Sequence, residues 1–251
     1  MKVTLLAHTP QPERLVVAAA LLCYQKGSPE EAYRRAGRDD LRNRLFEELI
    51  RHGHGSTLEH PYFTFGIEGI SRACSHQLVR HRIASYNQQS QRYVDVGDPG
   101  YFVKPESLAG DGGRFERVVG NTITYYREIV DEFKARGKKG EQAQQDARYV
   151  IPNAGKTNLV WTTNLRSLLH VCRVRMCSRA QWEIRELLGE CRRVIEPLFP
   201  LIAKYMVVKC HPYAVGYCDE EFRSCGFRPK REEVIPADDR CPPGPGWPRE
   251  G

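Results

Sequence analysis

No acidic side chain occurs between residues 69 and 94, and none between residues 147 and 182, in a chain that carries 31 Asp and Glu over 251 residues. No apolar run approaches the roughly 20 residues that a membrane helix requires. The longest, residues 15–24, has ten. A secretory leader is not expected either, because Pro10 to Arg14 interrupts any early apolar stretch. A Gly-x-Gly-x-x-Gly following a strand is absent, which argues against a Rossmann fold, so any dinucleotide must be held another way. Nine cysteines, an odd number without a leader, read as free thiols in a reducing compartment, and a cytoplasmic location is expected.

A composition of 41% hydrophobic and 27% charged residues fits one or at most two globular domains. The net charge of +7 suggests acidic ligands without separating nucleotides from nucleic acid. Its distribution says more. The first acid-free window contains Arg80, Arg82 and Arg92; the second contains Arg148, Lys156, Arg166, Arg173, Arg175 and Arg179. Two discrete basic windows separated by residues 95–146 look like two walls of one pocket rather than a continuous nucleic-acid stripe.

Periodicity predicts strands over residues 2–7, 61–70 and 158–163. Helices are expected over 13–25, 39–52, 71–83, 115–136, 141–149, 165–173 and 179–208, the last bent at Pro197 and Pro200. Ser28-Pro29-Glu30-Glu31 fits a capping box that opens a further short helix. Residues 97–113, rich in Gly and Pro, should be an exposed connection, and the polar stretch after residue 83 a loop. Few strands, several helices and no regular βαβ alternation predict an α+β fold, a small mixed or antiparallel sheet packed with several long helices. We expect a catalytic domain over residues 1–209 and a Cys-rich, loop-rich tail over 210–251.

Within the first window the chain reads Arg80-His81-Arg82-Ile83-Ala84-Ser85-Tyr86-Asn87-Gln88-Gln89-Ser90-Gln91-Arg92-Tyr93. Three guanidinium forks suit phosphate or carboxylate oxygens, and the Ser, Asn and Gln side chains offer neutral donors and acceptors that can read a ring edge. Arg-His-Arg, seven further residues, then Ser90 and Arg92-Tyr93 resembles the signature of the flavin-dependent thymidylate synthases, and the resemblance extends over roughly residues 40 to 209. It implies FAD bound in an extended pose and conversion of dUMP to dTMP with methylenetetrahydrofolate and NADPH. It also implies a homotetramer with active sites between subunits, and neither nucleic acid nor membrane as partner.

Carried over residue by residue, the resemblance gives Arg80, His81, Arg82 and Asn87 to the flavin. Gln77, Gln88, Gln89, Ser90, Gln91 and Arg92 go to dUMP, with Arg92 on the phosphate. In the second window Arg166, His170 and Arg173 fall on one helical face. The resemblance assigns Asn164, Arg166 and His170 to the flavin, and Arg148 and Arg175 to dUMP. His170 stands where the family often has Asn, and Arg179 where it usually has His. A third segment, residues 52–60, holds three His and one Glu but lacks His-Glu-x-x-His helical spacing, and a helix C-cap at Gly53 with a turn explains its glycines. Here the resemblance places Ser56 and Glu59 beside the flavin and His54 near the folate and nicotinamide face. Arg175, Ser90 and His54 are the catalytic candidates, Ser90 as an orienting group since no His or acid pairs with it locally.

No Cys lies within residues 80–93, in keeping with a family thought to dispense with a thiolate nucleophile; Cys172 and Cys177 flank Arg175 but read as packed thiols. In the tail, Cys210, Cys218, Cys225 and Cys241 occur with His211 in a segment too poor in apolar residues for a core of its own. Zinc, a disulfide or packed thiols all remain open there, because the spacing lacks a Cys-x-x-Cys pair, and no metal ligand is assigned. A competing reading is a basic nucleic-acid-binding protein with a zinc tail, which steep salt dependence would reveal. Another is a flavin oxidoreductase that has lost methyl transfer, against which Gln77, Ser90, Arg92 and Arg175 argue.

Overall fold

The computed structural model describes residues 1–96 and 98–234. Four strands, β1 (Lys2–His8), β2 (Tyr62–Ser71), β3 (Ala84–Gln88) and β4 (Lys156–Asn164), form one antiparallel sheet in the order β1-β2-β4-β3. Alternation sets its buried face. Phe63, Phe65 and Ile67 of β2 point inward beside Leu159, Trp161 and Thr163 of β4, with Phe65 opposite Trp161 and Ile67 opposite Leu159. A strict two-residue period would then turn Ile70 outward; an irregularity between Ile67 and Ile70, with Gly69 at φ +73°, restores it to the core.

Helices α1 (Pro12–Tyr24), α3 (Asp39–Arg51), α7 (Leu165–Arg175), α8 (Trp182–Ile195) and α9 (Pro200–Tyr205) bury apolar stripes in the same core. On α8 the stripe is Ile184, Leu187, Leu188, Cys191 and Ile195, the spacing of one helical face. Glu183 is buried among them, and its carboxylate accepts from the Ser71 backbone N–H at 2.6 Å and from the Ser71 hydroxyl. The same hydroxyl oxygen accepts from Cys74 N at 3.0 Å, so α8 fixes the N-terminus of α4 (Arg72–Leu78). Between β3 and β4, α5 (Arg114–Ala135) and α6 (Gly140–Ala147) pack on small clusters of their own, one built from Val96, Tyr126, Val130, Ala143 and Ala147.

The α+β class and the Ser28 capping box stand as predicted, the latter opening α2 (Pro29–Arg35). Three expectations change. The helix predicted over 71–83 stops at Leu78, and the polar stretch read as a loop is β3, because residues 84–88 pair with β4 and place Tyr86 opposite Trp161. The helix predicted over 179–208 is two, since proline cannot donate to the preceding turn; α8 ends at Ile195 and α9 starts at Pro200. The connection over 97–113 is not wholly exposed, because Phe102 is buried against Val119 and Ile123.

Beyond α9, the chain returns to the sheet-bearing body. Lys209 N donates to the Arg173 carbonyl at 3.0 Å, Lys209 pairs with Asp219, and Arg179 pairs with Glu220. The last described helix is α10 (Arg231–Val234). Cys241 of the expected tail cluster lies outside the described residues.

Candidate active site

The Arg80-His81-Arg82 signature sits in the turn between α4 and β3, and Tyr86 holds that turn to the core. Its ring stacks on Trp161, with centroids 6.4 Å apart and planes 3° from parallel. Its hydroxyl proton is shared between the carbonyls of His81 at 2.8 Å and Leu78 at 3.0 Å. Burial pushes the Tyr86 phenol up to about 12, so it stays a donor at neutral pH.

Across the turn, β4 runs directly into α7. Asn164 caps the helix, accepting from Ser167 N at 2.8 Å, and this fixed start directs Arg166 and His170 toward Arg82. Glu59, Arg82, Ile83, Asn164, Arg166, Ser167 and His170 line a cleft of about 320 Å³. The two acid-free windows therefore meet, Arg82 from the first and Arg166 from the second. Arg166 is steadied by an ion pair with Glu59 from the 3-10 turn Gly55–Glu59, which also carries Ser56.

Beside the cleft, Arg175 Nε donates to His81 Nε2 at 2.9 Å, and the His81 and His170 rings meet edge-on at 6.2 Å. Burial, with the Arg175 and His170 charges behind it, lowers the His81 pKa to about 4. The imidazole is therefore neutral at pH 7, with Nε2 an acceptor and the proton on Nδ1, free to donate. An unfolded chain binds this proton near pH 6.5, so between about 6.5 and 4 the unfolded state holds more protons and folding weakens as pH falls. His81→Gln should flatten that part of the profile. Thermal unfolding at pH 7 and pH 5 checks this, and a wild-type midpoint no more acid-sensitive than the variant's contradicts it.

A second cationic cluster lies at the far end of β3. Arg92 pairs with Glu141 and its N–H donates to Ser90 Oγ at 3.2 Å; Arg72 donates to the Gln89 carbonyl at 3.1 Å. Burial lowers the Arg72 pKa, with Tyr101 and the Arg148 cation close enough to act on it. The Nε groups of Arg72 and Arg92 are buried without a partner among the described residues. These are donors without an acceptor in a cationic setting, a natural place for an anion. Arg72 was missed in the sequence because its approach to Gln89 across 17 residues has no local signature; its place in the acid-free window was the only hint.

The remaining candidates are less concentrated. Gln88 turns inward and its amide donates to Ser75 Oγ at 2.9 Å and Thr157 Oγ1 at 3.1 Å, while Gln91 donates to the Tyr101 hydroxyl at 3.3 Å. Arg148 donates to the Gln145 carbonyl at 3.2 Å. Gln77 is half-buried on α4, Arg80 is exposed in the turn, and Asn87 faces away from the core. His54 borders a different cavity of about 340 Å³ between α1 and α3, with His52, Arg44 and Glu48. Arg179 faces Glu220, not the cleft.

The family model described as "Thymidylate synthase complementing protein" matches residues 4–201. A flavin-dependent thymidylate synthase of Geobacter sulfurreducens is 43% identical over 230 residues, covering 90% of this chain and 94% of that protein. One from Nitratidesulfovibrio vulgaris is 40% identical over 245 residues, covering 93% and 97%. Among solved structures, Helicobacter pylori ThyX complexed with FAD and dUMP superposes with a TM-score of 0.63 at 23% identity, covering 82% of this chain and all of that one. The UMP/dUMP methylase PolB of Streptomyces cacaoi, bound with 5-Br dUMP, gives 0.62 at 24% identity, covering 81% and 93%. The fold, the length of the match and the level of identity agree, and the chain belongs to the flavin-dependent thymidylate synthases.

Proposed function

We propose that this chain converts dUMP to dTMP using FAD, with methylenetetrahydrofolate as carbon donor and NADPH as reductant, at active sites shared between subunits of a homotetramer. The supporting observation is the cleft in which Arg82, Asn164, Arg166 and His170 converge beside a neutral His81 latched to Arg175. This donor set fits a flavin, whose anionic reduced ring and diphosphate both require donors. Glu59 keeps Arg166 aligned until an anion takes its place. In this reading Ser56, Arg80 and Asn87 extend the flavin contact. Bound FAD supplies the hydride chemistry.

The protein's own groups bind and orient. Arg72, Arg92 and Arg148 form the phosphate cradle, and Gln77, Gln88, Gln89, Ser90 and Gln91 border the base and sugar. Ser90 orients rather than attacks, for its Oγ accepts from Arg92 N. Arg175 supplies a fixed cation at the nucleotide, aligned by His81. His54, on its separate cavity, faces the folate side in the assembled enzyme.

The shared site is supported by distance. Arg175 and Arg92 are both proposed for dUMP but stand at opposite ends of β3, whose four residue steps extend about 13 Å. A nucleotide held by both is best served when the arginines come from two chains. No helix among the described residues is long and apolar enough to cross a membrane.

The purified protein should show an oxidised-flavin spectrum that bleaches with NADPH and shifts on adding dUMP. FAD-saturated protein with no such spectrum, and no flavin binding by calorimetry, would refute the proposal. Nucleic-acid affinity collapsing steeply with salt would favour the competing reading. Burial pushes the Cys172 thiol up to about 12, far from a nucleophilic thiolate. Cys172→Ala should therefore keep substantial turnover at reduced thermal stability. A folded, FAD-loaded variant with no turnover would restore the thiolate mechanism.

A further inference from the structure

Glu183 stands outside both the cleft and the second cationic cluster, buried where an apolar residue would suit the core. It lies in the first turn of α8, 2% exposed, beside Ile184, Leu187 and Leu188. Desolvating a carboxylate is costly, and an apolar side chain of similar volume generally serves core stability as well or better. What a carboxylate adds is a pair of directed acceptors. Both meet one residue: one oxygen accepts from Ser71 N at 2.6 Å, the other from the Ser71 hydroxyl.

Ser71 is the joint between β2 and α4. Its own N–H goes to Glu183, and the next three N–H groups are each accepted elsewhere: Arg72 N by the Gly155 carbonyl at 2.9 Å, Ala73 N by the Asn153 carbonyl at 3.0 Å, and Cys74 N by Ser71 Oγ at 3.0 Å. Assigned donors fix the direction in which the helix sets out. Glu183 governs two of these contacts, the Ser71 N–H directly and Cys74 N through the hydroxyl. By taking the hydroxyl proton it leaves a lone pair of Ser71 Oγ for Cys74 N. The nucleotide cluster hangs on the same turn. Arg72 donates to the Gln89 carbonyl at 3.1 Å, and Ser75 Oγ donates to the Arg72 carbonyl at 3.1 Å while accepting from the Gln88 amide at 2.9 Å.

We propose that Glu183 is a positioning residue for the nucleotide site: through the Ser71 N–H and hydroxyl it fixes the first turn of α4, and with it Arg72, Gln88 and Gln89. The role rests on the assignment of dUMP to that cluster. Arg72 Nε is buried without a partner among the described residues, so a small tilt of α4 carries it away from an incoming phosphate.

The test uses full-length, FAD-loaded protein. Glu183→Gln keeps the size of the side chain but turns one acceptor into a donor, so one Ser71 contact is lost. It should weaken dUMP about 3- to 30-fold and raise the KM for dUMP with kcat little changed, while FAD affinity stays within about twofold. Ser71→Ala should give the same pattern from the other side of the contact. Ser71→Thr, which retains the hydroxyl, should bind dUMP as the wild type does. Arg72→Ala should weaken dUMP as well, and adding Glu183→Gln to it should weaken dUMP by less than about twofold more, because the group through which Glu183 acts is gone. A role in stability alone gives a lower unfolding midpoint in Glu183→Gln with wild-type dUMP affinity, or losses that multiply in the double variant; either result overturns the proposal. Should Glu183→Gln not fold, Ser71→Ala and Ser71→Thr decide, and equal dUMP affinity in the two overturns it. If Arg92→Ala weakens dUMP and Arg72→Ala does not, the positioning role fails while the nucleotide site stands. Wild-type protein that binds FAD but not dUMP overturns both.

Discussion

Trp161→Ala will destabilise the protein by about 3–5 kcal/mol, the usual cost of truncating a fully buried Trp. It will also loosen the signature turn. Trp161 lies on β4 with no exposed surface, between the Phe65 ring at 5.4 Å and the Tyr86 ring at 6.4 Å. Removing the indole opens a cavity bounded on one side by Tyr86, whose hydroxyl secures the carbonyls of Leu78 and His81. A side chain outside the cleft thus controls the placement of Arg80, His81 and Arg82. Urea unfolding measures the first effect and flavin affinity the second. Trp161→Phe, which refills most of the volume and preserves stacking, should recover much of both. A Trp161→Ala variant with unchanged midpoint and flavin affinity would remove Trp161 from this role.

The dependence of the signature on Trp161 shows what the sequence carried and what it did not. Arg80, His81 and Arg82 stood out through the resemblance of the Arg-His-Arg spacing to a family signature, inside a run of donors without acids, and the cleft brings Arg82 to Arg166 of the second basic window. The strand that presents them was not legible. Ala84-Ser85-Tyr86-Asn87-Gln88 has one large apolar residue, and its extended form comes from pairing with β4, some 75 residues later in the chain. Local pattern found the Ser28 capping box because all its partners lie within four residues. It could not find the Arg72–Gln89 contact, the His81–Arg175 bond or the seat of Arg179 on Glu220, which are set by the return of distant segments. Arg179, a basic side chain, pairs with Glu220 and docks the C-terminal segment.

Arg92→Ala and Arg175→Ala should each weaken dUMP by about 1.5–3 kcal/mol, or about 10- to 150-fold, the range for a lost hydrogen bond to a charged group. Their side effects differ. Arg92 and Glu141 are both partly exposed, so breaking that pair should cost little stability. Arg175→Ala removes a cation from beside His81, so the His81 pKa should rise from about 4 toward its ordinary value, and acid sensitivity between pH 4 and 6.5 should diminish. FAD affinity should change less than dUMP affinity in both. The decisive measurement combines them. If one nucleotide is gripped by Arg92 of one subunit and Arg175 of another, mixed oligomers of the two variants contain some sites with both arginines intact and some with neither. Co-expressed variants purified as hybrids should then turn over faster than either parent. If each chain instead supplied both arginines to its own site, every site in a hybrid would lack one, and turnover would equal the average of the parents. Unchanged dUMP affinity in the two single variants would remove both arginines from the nucleotide site, whatever the hybrids did.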